Sequence, residues 1–443
     1  MPIEVCTISG FSKTGGNSIA FKIDEEVVIL DMGLSMENYI RYTEDREDVT
    51  AKNYRDLLHV GAVPDYSYIE DWKNKVIAII PSHAHLDHLG AIPFAAGIFP
   101  KAPVICTPYS LEVLKSILAD DHIIIPNKLV SLNLNSSYKL SKKITVEFVY
   151  ITHSLPHTAM IVLHTPYGKI VYANDYKIDL QPTLGQKPNL ERLKEIGKEG
   201  VILLVMECLY AQAHIKTPSE GVAKQLLKDV MLGVNSEGKA MIVTTFSSHM
   251  ARLKSIVELG KKLNRKIVFL GRSLSKYVKA AENINIINFE QEARLVGFRD
   301  KVEKTLKGIM KEGKGKYLIV CTGHQGEPHS VLSRLAQGET SFRFESGDIV
   351  IFSCSVIPVE LNRENRARLE QQLKSKNVRL FTDVHVSGHA AREDYRDLLD
   401  LLKPEQIIPS HAGHDKAQLL KEYAQDLGYR KVQIMDDGKR ISI

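Results

Sequence analysis

The chain has 443 residues, 44% hydrophobic and 25% charged, with a formal net charge of +5. This composition excludes disordered, collagenous and disulfide-framed proteins and leaves a globular chain long enough for two domains. No apolar run approaches the roughly 20 residues that span a bilayer, so no membrane association is expected.

In chain order, "EVCTISG", "SIAFKID" and "VVILDMG" alternate as strands. A polar stretch over 35–72 contains a short helix around "NYRDLLHV". "KVIAII" then reads as a buried strand ending at Ser82, and "LGAIPFAAGIF" as a helix start interrupted by Pro93. Residues 129–176 read as strands and hairpins, and the polar "QKPNLERLKEIGKEG" leads into the strongly apolar "VILLVM". After Tyr210 the rhythm becomes strand, helix, strand, helix, which implies a parallel sheet flanked by helices. The change of rhythm near residue 209 marks two domains.

The start, "MPIEVCTISG", has neither the basic region nor the apolar core of a secretory signal. Five scattered cysteines without C-x-x-C indicate reduced thiols and a cytoplasmic protein with no thiolate metal site. Charge is uneven. Residues 251–280 carry nine Lys or Arg against one acid, Glu258. A basic segment of this kind attracts a polyanion, although Lys-rich helices are also common as plain solvated faces.

The densest chemical signal is "PSHAHLDHLG", which sets His83, His85 and His88 around Asp87 where a strand gives way to a helix. Further candidates follow apolar runs in the same way: Asp31 after "VVIL", His153 after "TVEFVYIT", Asp175 after "KIVYAN", Glu207 at the end of "VILLVM", and His389 and His411 near the end of the chain. Strand ends can converge on one rim. Imidazole with carboxylate suits zinc best and manganese second. His83 and His85 can point one way and Asp87 and His88 another, so two ions are expected, with Asp175 the candidate bridge and Asp31 a residue that orients a ligand histidine.

These residues resemble the H-x-H-x-D-H signature of the metallo-β-lactamase superfamily. The insert, with Glu207, His389 and His411, resembles the β-CASP nucleases. "HVSGHA", "TFSSHMARL", "GRSL", "TGHQGEP" and "IFSCSVIP" are similar to ribonuclease J, of an archaeal type, over nearly the whole chain. The resemblance implies an α/β protein: a metallo-β-lactamase αββα sandwich over 1–208 and 371–443 with a β-CASP domain inserted at 209–370. It implies one zinc on His83, His85 and His153, another on Asp87, His88 and His411, with Asp175 bridging, Glu207 supporting and His389 on the scissile phosphate. Departures are His157, where the family often has Asp, Ser247 in "TFSSH", where relatives often have Ala, and the lack of the C-terminal domain of bacterial members.

The expected function is a zinc-dependent ribonuclease acting 5′ to 3′ on single-stranded RNA in RNA decay and maturation. It would prefer a 5′-monophosphate and release nucleoside 5′-monophosphates. Ser247 and Ser248 open a helix where backbone N–H groups favour an anion. With His385, Ser387, Gly388 and His389 they form the expected 5′-phosphate pocket. RNA is expected to run between the domains along 251–280, touching Arg252, Lys254, Arg272 and Lys276. A homodimer is the expected assembly, within or outside a larger RNA-decay complex. The alternatives are a β-CASP endoribonuclease, a small-molecule hydrolase of the same superfamily, and an RNA-binding subunit without catalysis. The basic insert argues against the second and the full set of ligands against the third.

Overall fold

The computed structural model describes residues 3–44, 53–357 and 359–443. The chain forms two compact units. The first comprises Met1–Ile178, Lys187–Thr217 and Gly388–Ile443; the second comprises Asp179–Gln186 and Pro218–Ser387.

The first unit is built on two sheets. One has seven strands in the order Lys439–Ser442, Ile3–Ser9, Ser18–Ile23, Glu26–Leu30, Val76–Ile80, Val104–Cys106 and Leu129–Ser131. The other has six, in the order Ile407–Ser410, Val201–Glu207, Gly168–Ala173, Ala159–Thr165, Thr145–Tyr150 and Ser136–Lys139. Phe21, Leu30 and Ile80 from the first meet Phe148, Tyr172, Val205 and Ile408 from the second in one buried cluster, so the sheets pack face to face. The helices Leu190–Glu199 and Arg392–Leu402 cover the outer face of the six-stranded sheet through Leu193, Ile196, Leu398 and Leu402. Helix Pro108–Asp120 lies along the seven-stranded one. The result is an αββα sandwich. Its strands are near-continuous Val, Ile and Leu because both faces of each sheet are covered.

Strand direction decides where side chains are delivered. Glu26–Leu30 and Val76–Ile80 are parallel neighbours, with Leu30 opposite Ile80. Gly168–Ala173, Val201–Glu207 and Ile407–Ser410 are also mutually parallel, with Ala173 opposite Met206 and Glu207 opposite Ser410. Parallel neighbours in register end together, so Asp31 and His83 leave one sheet side by side, and Asp175, Glu207 and His411 leave the other. Pro93 does not break a long helix. It sits in the first turn of a separate short helix, Ile92–Ala95, where its missing N–H costs nothing.

The second unit is a six-stranded, wholly parallel sheet in the order Ala293–Val296, Lys266–Leu270, Tyr317–Cys321, Met241–Thr244, Ile349–Phe352 and Arg379–Phe381. The compact units divide at 218 and 387, beside the limits of 209 and 370 expected for the insert. Tyr210 bridges to Ala391 and Thr217 Oγ1 donates to the His389 carbonyl, which holds 209–217 in the first unit. Strand Arg379–Phe381 pairs with Ile349–Phe352, which holds 371–387 in the second. Among the described residues no helix is long and apolar enough to cross a membrane.

Candidate metal centre and nuclease site

In the first unit, six of the expected residues gather around Asp175. The Nε2 atoms of His88, His83 and His153 lie 3.3, 3.4 and 3.6 Å from Asp175 Oδ2, and His411 Nε2 lies 3.5 Å from Oδ1. His85 Nδ1 is 3.0 Å from His83 Nε2 and 3.2 Å from His153 Nε2. Asp87 Oδ2 is 3.5 Å from His88 Nε2 and 4.0 Å from His411 Nε2. The potential ligand atoms fall into His83, His85, His153 and Asp175, and Asp87, His88 and His411, each set within 4.8 Å of one another. The side chains of His83, His88, His153, Asp175 and His411 are at most 3% exposed, whereas those of His85, Asp87 and His389 are 21, 23 and 20% exposed. The cluster therefore has a buried floor and an open rim.

Asp175 Oδ1 is buried with no hydrogen-bond partner among the described residues. A buried carboxylate oxygen without a donor is costly unless a cation completes it. The donor set of imidazoles and carboxylates fits a divalent metal, and the residues present fit the group that this chemistry calls for.

The surroundings fix which nitrogen of each imidazole faces inward. His88 Nδ1 lies 2.7 Å from Asp31 Oδ2. The same carboxylate accepts from Ser82 N–H, Ser82 Oγ and Tyr172 Oη at 2.6, 3.1 and 2.8 Å. Asp31 is fully buried and fully satisfied, and it leaves His88 Nε2 for the centre. His153 Nδ1–H donates to the Gly388 carbonyl at 2.7 Å. Asp31, Asp175 and His411 have φ values of +57, +56 and +62°, the left-handed region that few non-glycine residues adopt, and each comes just past a strand end. Gly33 allows a close approach: a Cβ there would stand 1.8 Å from the Asp87 carbonyl oxygen. Met32 N–H and Leu34 N–H donate to the carbonyls of His88 and Leu86, which locks the Asp31 turn to the short helix that carries Asp87 and His88.

Electrostatics follow from this burial. Burial, with the neighbouring His88, pushes His83 down to about 3, and burial likewise keeps His153 and His411 below the usual imidazole range. These shifts favour the neutral imidazole, the form that can ligate a metal. Burial opposes charge on Asp175, but the His411, His88 and His389 rings outweigh it and hold the carboxyl well below its usual range. For His389 burial also disfavours the cation, yet Glu207 and then Asp175 raise it to about 9. His389 Nδ1 lies 3.0 Å from Glu207 Oε2, and Glu207 Oε1 accepts from Tyr176 N–H and Ala390 N–H. The His389 ring stacks on His411 with centroids 5.5 Å apart.

Asn17 is not visible from sequence. Its Nδ2 is 2.8 Å from His411 Nδ1, 3.2 Å from His88 Nε2 and 3.1 Å from the Asp87 carbonyl oxygen. A cation on His88 Nε2 would leave this amide to His411 and the Asp87 carbonyl. The signal in the sequence, the Gly-Gly-Asn turn at 15–17, looks like any hairpin connection. Asn17→Ala is expected to weaken metal binding about tenfold to a hundredfold, the usual scale for a group that orients a ligand. Competition against a chelating dye measures this, and unchanged affinity would refute the role.

In the second unit, Ser247 and Ser248 follow strand Met241–Thr244 and His385 follows Arg379–Phe381, so both lie past the carboxyl ends of parallel strands. Ser247 Oγ is 2.9 Å from Ser273 Oγ. The following helix, Met250–Lys262, is capped by His249, so neither serine is its N-cap. Ser387 ends this unit and Gly388 begins the next segment of the first. Arg252 departs from expectation. It is fully buried, with Nε and Nη2 donating to Glu220 at 2.6 and 2.9 Å and Nη1 to Ser353. Its guanidinium is a core ion pair and offers no surface contact to an RNA backbone. Lys254 Nζ donates to the Thr183 carbonyl at 3.4 Å, while Arg272 is exposed.

Three family descriptions match this chain: the metallo-β-lactamase superfamily over 13–179, the ribonuclease J β-CASP domain over 238–368, and a Zn-dependent metallo-hydrolase RNA specificity domain over 377–435. With the sandwich, the inserted parallel sheet and the histidine–aspartate cluster, they define a metal-dependent nuclease of the β-CASP group. Ribonuclease J of Methanocaldococcus jannaschii is 41% identical across all of this chain and 99% of its own, and that of Pyrococcus abyssi 39% across all of this chain and 97% of its own. The chain belongs to the ribonuclease J family. Ribonuclease J 1 of Streptococcus pyogenes is 30% identical across all of this chain and 74% of its own length. A solved structure of a protein of unknown function from Enterococcus faecalis shares the fold, with a TM-score of 0.65 at 19% identity and 99% coverage of both chains.

Proposed function

We propose that this protein is a dinuclear zinc ribonuclease that degrades single-stranded RNA 5′ to 3′ from a 5′-monophosphate and releases nucleoside 5′-monophosphates. The observation that carries this reading is the pair of ligand sets meeting at Asp175. His83, His85 and His153 would hold one zinc, Asp87, His88 and His411 the other, and Asp175 both. Bound divalent ions supply Lewis acidity to the phosphodiester and lower the pKa of water. The chain itself supplies the rest. Asp31, Asn17 and the Gly388 carbonyl orient the ligand rings. Glu207 keeps His389 protonated, so that its ring donates to a phosphate oxygen as charge develops there. Ser247, Ser248, His385 and Ser387 are the proposed anchors for the 5′-phosphate. The named relatives, ribonucleases matched over their full or nearly full length, support RNA as the substrate.

The test uses RNAs that differ only at the 5′ end, with chromatography of the first products. Monophosphorylated RNA is expected to be degraded faster than triphosphorylated RNA, with mononucleotides as products. Equal rates with long internal fragments would assign the protein instead as an endoribonuclease.

A further inference from the structure

The basic stretch 251–280 is not one surface. Arg252 is buried against Glu220, and Arg265 is buried with its guanidinium on the carbonyls of Ser236, Lys239 and Tyr317. Lys261 pairs with Glu292 and Lys266 with Glu312. Helix Arg272–Asn283 is different: Arg272, Lys276 and Lys279 recur on it at i, i+4 and i+7 and so share one face. Arg272 and Lys279 are exposed.

At the head of that stripe stands Phe298, which is 62% exposed. It caps helix Arg299–Glu312 just past strand Ala293–Val296, the parallel neighbour of the strand that leads into Arg272. The Arg272 guanidinium lies 6.0 Å from the Phe298 ring centroid and the Lys301 ammonium 5.7 Å, both within cation–π range. Arg299 is exposed beside them; the acid on this turn, Asp300, sits in the first turn of its helix, where the dipole favours it. A lone exposed aromatic needs no explanation. One flanked by two cations, at the carboxyl rim of a parallel sheet and at the end of a basic stripe, combines the two elements that grip single strands: a π face for a base and positive charge for the backbone.

We propose that Phe298, Arg272 and Lys301 form an accessory platform for single-stranded RNA, with one base stacked on Phe298 and the adjoining phosphates on Arg272 and Lys301. It would act on retention of the strand and would leave the cleavage step untouched. This inference rests on the reading of RNA as substrate.

The experiment measures KM and kcat of the metal-loaded enzyme on a single-stranded RNA, the same strand with abasic residues, and a short oligonucleotide. Phe298→Ala is expected to raise KM for the full strand at least about fivefold with kcat unchanged. It should leave the abasic and short substrates unaffected, and Phe298→Trp should keep tight binding. Arg272→Ala with Lys301→Ala should raise KM on the full and abasic strands alike and flatten its salt dependence, by a slope of about 0.7 for each phosphate no longer neutralised. An unchanged KM for Phe298→Ala in an enzyme that degrades RNA would overturn the platform alone. A wild-type enzyme that cleaves no RNA would overturn the substrate reading and the platform together.

Discussion

Asp175→Asn is expected to leave the fold intact and remove both metal binding and nuclease activity. Four imidazole nitrogens lie 3.3 to 3.6 Å from its two carboxylate oxygens, so both ligand sets depend on it. An amide keeps the shape but loses the charge and one acceptor. Lewis-acid stabilisation is worth several kcal/mol, so its loss costs a thousandfold or more in rate, by the rule of about 1.4 kcal/mol per tenfold. Elemental analysis should read close to two zinc ions per chain in the wild type and a marked fall in the variant. The metal-free forms of both should melt within a few degrees of each other, because Asn removes a buried charge and opens no cavity. Full metal content in Asp175→Asn would refute the shared-ligand assignment.

The second large effect concerns His389. Its ligating atom also lies within 4.8 Å of those of Asp175 and His411, so distance alone would admit it as a metal ligand. The difference lies at Glu207, which takes Nδ1 and raises the ring to about 9. A protonated imidazole does not bind a metal but donates well to phosphate. His389→Ala is therefore expected to lower kcat about a hundredfold to a thousandfold, the cost of removing one preorganised donor, with zinc content unchanged. Zinc loss in that variant would make His389 a ligand. The pH profile supplies the sign. A raised pKa keeps the cation below about 9 and loses it above, so activity should fall on the alkaline side. Bound dications offset the field of Asp175, which sets that limb at or below 9. Glu207→Gln should move it lower still, and an unmoved limb would show that another group titrates.

His83, His85, Asp87 and His88 are legible in the sequence because metal ligands crowd within one turn, and few other demands place three histidines in six positions. Asp175, Glu207 and His411 are legible through the apolar runs before them, since a buried strand announces where its end will be. Arg252 misleads because charge density along the chain carries no record of pairing. Its partner, Glu220, is 32 residues away on another helix. Asn17 is hidden because its role depends on His411, 394 residues later. The boundary at 387 is hidden because a three-residue strand, Arg379–Phe381, has too little pattern to reveal which sheet it completes.

The division of the first unit into segments has a consequence for synthesis. His83, His85, Asp87, His88, His153 and Asp175 all precede residue 179, whereas His389 and His411 follow the whole of the second unit. Strand Ile407–Ser410, which positions His411, can pair with Val201–Glu207 only once about two hundred intervening residues have left the ribosome. A growing chain thus carries one candidate set complete and the other, Asp87 and His88, without His411, and lacks the ring that Glu207 holds. The two ligand sets and the Glu207–His389 pair therefore come together only after the last segment of the first unit has been made.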